Sequence, residues 1–375
     1  LKSNNGTINL DWGDEEKFGM SGLTADMSDN GEMNYSVNWD EFSRWNGRGF
    51  PRAFNSGISF NDSWKESKYK LNFSYKYGQI ANTVEEETIA QNNLSDSIQL
   101  NSLTSSNRDS DMRKHRFNSR YDWKIDSLTT LTLKLSGSKG KLEVDDYTQA
   151  RSSDINFLDL NSNERRQSSS TESGNFTYDA YVTRKMKKVG RSISLRFAGN
   201  MDDSNGDTYL NSTTNFYQQG LVDSVYVIDQ YKDIWSKSNN IRTSVTYTEP
   251  ISKKLNSSLG YEYNNSKQQS VTNSFNKDGS GDYTVYDSEF SNDFDFNTQR
   301  HAINLGVNFK SEKFEWGLNN NFRNDNMFQR NNNDNIAVNR DFTTYNPNAR
   351  IRYNFTKSKS LGLNYSHGNN LPSLS

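Results

Sequence analysis

Large apolar and polar side chains alternate through this chain in runs of about ten residues, a periodicity that a β-strand accommodates and a helix does not. Between His115 and Ile125 the odd positions are His115, Phe117, Ser119, Tyr121, Trp123 and Ile125, and the even ones are Arg116, Asn118, Arg120, Asp122 and Lys124. The same pattern runs through Tyr69, Leu71, Phe73, Tyr75 and Tyr77, and through His301, Ile303, Leu305, Val307 and Phe309. It returns in Phe314–Phe322, Tyr345–Phe355 and Leu361–Tyr365. Each strand then has one apolar and one polar face. Helical spacing is sustained nowhere.

Composition narrows what such strands can build. Only 31% of the 375 residues are hydrophobic, against the ~45–50% usual in soluble domains. The mean hydropathy of -0.99 would suit a disordered chain, but disordered chains are poor in aromatics. This one carries 20 Tyr, 21 Phe and 7 Trp, so its apolar residues are few, large and regularly placed. The four prolines suit long uninterrupted strands. A net charge of -2 provides no electrostatic footprint for nucleic acid. With no cysteine, disulfides, thiolate metal sites and cysteine nucleophiles are excluded.

Short turns near Asp62–Ser67, Asp126–Thr129, Met186–Gly190, Glu249–Lys254, Ser311–Lys313 and Thr356–Lys359 alternate with long polar stretches near 79–112, 139–173, 202–237, 265–298 and 324–342. A hairpin repeat of roughly 60 residues with tight turns at one end and long loops at the other is the pattern of an outer-membrane barrel. The fold class expected is all-β: a transmembrane antiparallel β-barrel of about 15 visible strands, an odd number for a closed barrel and so an incomplete one. The first three strands are expected at Thr7–Trp12, Phe18–Met27 and Met33–Trp39. Strands of about 10–12 residues would cross a bilayer at a tilt. A soluble sandwich needs shorter strands and a second packed apolar face.

Several pieces of the chain resemble the outer-membrane β-barrel family common in the Bacteroidetes, which is similar to the barrel of TonB-dependent receptors. They are the turn Lys188-Val189-Gly190-Arg191, the turn Tyr247-Thr248-Glu249-Pro250-Ile251, the segment Tyr286–Asn292, and Leu363–Ser366 followed by Leu371-Pro372-Ser373-Leu374. Gly190, Arg191, Tyr247, Glu249, Pro250 and Pro372 carry the likeness. The resemblance implies a Gram-negative outer-membrane location and, upstream and downstream of a single barrel domain over 1–375, a plug/regulatory-like domain and closing strands that this stretch lacks. It also implies contact with outer-membrane lipid, with a plug of the same polypeptide and TonB, and passage of an unidentified solute.

Candidate chemistry is sparse, and no enzymatic role, cofactor or metal site is expected. The three histidines, His115, His301 and His367, lie on separate segments. His115 and His301 sit on apolar faces at what read as strand starts, where a lipid interface accounts for them. No G-x-S-x-G elbow is present. The acidic clusters Asp278–Asp282, Asp202-Asp203, Asp325-Asn326 and Asp334-Asn335 do not follow the EF-hand pattern and suit solvated loops. Lys70, Lys76, Lys114, Arg116, Arg120, Arg350 and Arg352 fall on polar faces, where they would line a lumen and steer anions or hold a plug, or simply form a water-filled wall. Two other functions fit the same residues: a non-transporting structural or assembly scaffold in the outer membrane, and a soluble surface adhesin.

Overall fold

The computed structural model describes residues 23–27, 33–37, 48–95, 98–356 and 358–368. Among these the only regular elements are fourteen strands. β1 (Leu23–Met27) and β2 (Met33–Val37) form a hairpin of their own. The other twelve form one antiparallel meander in chain order: β3 (Phe50–Trp64), β4 (Tyr69–Ser95), β5 (Ile98–Lys124), β6 (Thr129–Ser153), β7 (Asp159–Lys185), β8 (Ser192–Gln218), β9 (Leu221–Pro250), β10 (Leu255–Lys277), β11 (Tyr283–Lys310), β12 (Phe314–Asn331), β13 (Ile336–Asn354) and β14 (Ser360–Ser366). β3 and β14 are the sheet edges and do not pair with each other. The expected strand at Thr7–Trp12 and the Pro372 segment lie outside the described residues.

Register carries the alternation from strand to strand. Leu131 faces Trp123 and Val182, Ile303 faces Tyr261 and Phe322, and Leu363 faces Ile351, so apolar residues meet apolar residues across the sheet. The continuous apolar band lies in the half of the long strands next to the short turns, while at the far ends of β9 and β13 further apolar residues such as Val225 and Ile336 are exposed. On β8 the band runs Ile193, Leu195, Phe197, Met201 and then gives way to Asp203, Asn205 and Asp207 on the same face. Nine residues at ~3.4 Å each, tilted about 40°, cover ~23 Å, close to the ~25 Å apolar belt of a membrane barrel.

The long polar stretches correct the expectation of extracellular loops and of strands about 10–12 residues long. Residues 139–173 and 202–237 are largely strand, and β4, β5, β7 and β8 are each 27 residues long. The connections at that end are brief, such as 154–158, 219–220, 278–282 and 332–335. Beyond the apolar band both faces become polar enough to hide a period of two, but each backbone still finds its ladder partners on the neighbouring strands. The sidedness also reverses there. Ile80 faces Met112 and Met112 faces Leu142 on the face that is polar lower down, and with Val144 and Leu210 they are buried to between 2% and 7% exposure. Where water replaces lipid outside, the apolar side chains move inside.

Candidate functional site

The polar face next to the apolar band, which a barrel turns inward, is the surface able to meet a solute. A trough of about 720 Å³ on it is lined by Ser59, Asn61, Asn72, Ser74, Asn118, Arg120, Lys134, Ser136, Thr177 and Asp179, with a few outward residues at its margins. Hydroxyl and amide side chains dominate, so this wall can exchange hydrogen bonds with water or a polar solute.

All seven cations expected on the wall take the polar face by register. Lys70 pairs with Asp122, Lys76 with Arg116, Lys114 with Gly78 and Arg120 with Asn72, while Arg350 and Arg352 face Gly317 and Glu315. The first five form one patch on β4 and β5, and the last two stand near the other edge of the sheet. They are not equally available. Arg120, Lys70, Arg350 and Arg352 are exposed, whereas Lys76 and Lys114 are only 8% and 5% exposed. Arg120 Nε donates to Asp122 Oδ2 at 2.8 Å, and Thr132 Oγ1 donates to Asp122 Oδ1 at 2.6 Å.

The register also assembles ion pairs that the linear chain does not announce. Arg196 Nη2 donates to Asp179 Oδ2 at 2.7 Å between β8 and β7. Arg242 lies 3.4 Å from Glu262 between β9 and β10. Between β11 and β12, Asp325 is fully buried, with Arg300 Nε at 2.5 Å from one oxygen and Arg323 Nε at 2.6 Å from the other. With Arg120 and Asp122 these form a belt of paired charges across the polar face of the sheet. Arg120–Asp122 and Arg323–Asp325 are neighbours on one strand face, but the partners across strands, Arg196–Asp179, Arg242–Glu262 and Arg300–Asp325, depend on strand offset, which no local signal reveals.

A second cluster lies at the short-turn end. The β7–β8 turn (186–191) and the end of β9 meet through Glu249, whose carboxylate accepts from Arg191 Nε at 2.6 Å, Arg191 Nη2 at 2.8 Å, Lys188 Nζ at 2.6 Å and Tyr247 Oη at 2.6 Å. The Arg191 guanidinium, then Lys188 and Tyr247, hold Glu249 far below the usual carboxylate range. Gly190 has φ +89°, the left-handed region that favours glycine, and its α-carbon faces the Pro250 ring. The residues Gly190, Arg191, Tyr247, Glu249 and Pro250 are thus parts of one clip between adjacent hairpins.

His115 and His301 stand on the apolar face as expected, but in mid-strand, because β5 and β11 continue past the expected loops. Each repeats the same arrangement. Tyr75 Oη and His115 Nδ1 share a hydrogen bond of 2.7 Å, with the Tyr77 ring 4.8 Å away; Tyr261 and His301 share one of 2.7 Å, with Tyr263 at 5.1 Å. Both clusters lie at the upper edge of the apolar band, where an amphipathic ring suits a membrane interface. At the far turn of β10–β11 the Asp278 carboxylate is occupied in capping: it accepts from Thr284 Oγ1 at 2.7 Å and from the backbone of Ser280 at 2.8 Å and Asp282 at 3.1 Å, which lowers its pKa. Within the Tyr286–Asn292 segment β11 is irregular, and the β10 pairing skips residues 288–291: Ser274 Oγ donates to Phe290 O at 2.6 Å, and Ser291 Oγ to Asp287 O at 2.5 Å.

Residues 184–375, just over half of the chain, match the model of the outer membrane protein beta-barrel family. No curated protein matches the chain. Among solved structures, the alcaligin outer membrane receptor FauA from Bordetella pertussis aligns with 90% of this chain and 76% of that chain at 10% identity; its TM-score of 0.13 carries no structural inference.

Proposed function

The chain belongs to the outer membrane protein beta-barrel family, and from its place in the outer membrane we propose that it forms the wall of a solute-uptake barrel similar to a TonB-dependent receptor. The polar inner wall supports this reading most directly. Charged, amide and hydroxyl side chains line it through the whole depth of the apolar band, the surface a water-filled path for a polar solute requires. In this reading the trough beside Arg120 and Lys134 meets the solute, a plug of the same polypeptide closes the lumen, and TonB supplies the energy. We assign the chain no catalytic role.

A scaffold that conducts nothing is the second reading, and the buried inward patch of Ile80, Met112, Leu142 and Val144 favours it, since apolar residues on an inner wall oppose hydration. Planar-bilayer conductance of the full-length protein separates the two. Uptake predicts a closed resting barrel that conducts once mild urea loosens a plug, with a smaller conductance change in Arg120→Glu. A barrel silent under the same treatment, while its folded state persists by gel mobility, would refute uptake.

A further inference from the structure

The six short turns differ in charge from the turns at the other end of the strands. Their described connecting residues, within 65–68, 125–128, 186–191, 251–254, 311–313 and 355–359, hold nine Lys or Arg against three Asp or Glu. The described connections at the opposite end, 154–158, 219–220, 278–282 and 332–335, hold four Asp and no cation. The whole chain has a net charge of only -2, so the two ends are polarised rather than the molecule charged.

The cations also stand at a defined height. On the outward face the strands enter these turns through Trp64, Tyr69, Trp123, Phe309 and Trp316, with Tyr69 stacked 6.2 Å from Trp123 and Phe309 stacked 6.0 Å from Trp316. Lys65 and Lys68 ammonium groups lie 5.7 and 5.8 Å from the Tyr69 ring. Aromatic girdles mark the level of lipid headgroups, and long basic side chains beside them reach the phosphates while their stems stay in the apolar layer. Lys187, Lys253, Lys254, Lys313 and Lys359 are exposed.

We propose that this rim binds the anionic headgroups of the phospholipid leaflet on the short-turn side. An acidic protein would cover one arc of a barrel, whereas these cations recur on five of the six turns and follow the aromatic girdle. The inference rests on the outer-membrane placement and is independent of whether the barrel transports anything.

The test uses the full-length protein in vesicles containing brominated phosphatidylglycerol or brominated phosphatidylcholine, read by quenching of tryptophan fluorescence. The native protein should prefer phosphatidylglycerol at least about threefold, and added salt should erode the preference. Lys187→Gln/Lys253→Gln/Lys254→Gln should reduce it towards unity, while Lys139→Gln/Lys237→Gln/Lys267→Gln, of equal charge change but beyond the apolar band, should leave it unchanged. Equal affinity of the native protein for the two lipids would overturn the proposal, as would equal loss in both triple variants. Displacement of phosphatidylglycerol by inorganic phosphate would assign the cations to a free anion instead. Quenching by neither lipid would refute the membrane placement itself. Should the triple variant not fold, the salt titration on native protein decides alone.

Discussion

Leu305 and its neighbour Asn304 offer a test of which face meets lipid. On β11 Leu305 stands four residues from Phe309 and four from His301, the two ends of the apolar run. That is ~14 Å along the strand from each end, or ~11 Å along the membrane normal at a 40° tilt, near the middle of a ~25 Å belt. Within the protein Leu305 is 43% exposed, so truncating its packing has a modest effect. Leu305→Arg in water would therefore cost little. In a bilayer it should cost about 2–4 kcal/mol, a loss of roughly 30- to 800-fold in the folding constant. Asn304→Arg changes the same strand at the same depth on the opposite face, where Asn304 is exposed beside Asn321; its effect should stay within about 0.5 kcal/mol. The assay is reversible urea unfolding of the full-length protein in lipid vesicles. Equal costs at the two positions, or the larger cost at Asn304, would refute the assigned faces.

Asp325→Asn should destabilise by about 3–5 kcal/mol, because Arg300 and Arg323 remain together without the carboxylate that neutralises them; a change in urea midpoint equivalent to less than about 1 kcal/mol would contradict the pairing. Gly190→Ala should cost about 1 kcal/mol from the left-handed backbone alone, since the added methyl group meets Pro250 at an ordinary 3.4 Å. Glu249→Gln should destabilise at pH 7 in low salt. Glu249 is held below its ordinary value of 4.5, so its contribution is complete above that pH and declines as pH falls towards the folded-state value. Denaturation of wild type and variant should therefore converge on acidification, and a gap that widens at low pH would sink the assignment of the clip.

Much of this architecture was legible residue by residue. Strand identity, the faces of Tyr69–Tyr77 and His301–Phe309 and the placing of Lys70 and Arg120 on the opposite, polar face follow from a period of two, which is a local property of the backbone. The two family-like turns were also legible, but as separate motifs; only the fold joins Arg191 to Glu249 across 58 residues of chain. The full extent of the strands is not legible in the sequence, for a physical reason. Alternation of apolar and polar residues reports lipid on one face and water on the other; beyond the band the inward face is buried but largely by polar residues such as Asn82, Ser110, Thr148 and Gln167, so the pattern fades although backbone pairing persists. The expected loops at 139–173 and 202–237 are therefore largely sheet. The Asp179–Arg196 and Arg300–Asp325 pairs and the matching Tyr–His clusters depend on register, the offset of one strand against the next. That offset is set by the whole ladder of cross-strand contacts at once, so only the tertiary structure decides which charges and rings meet.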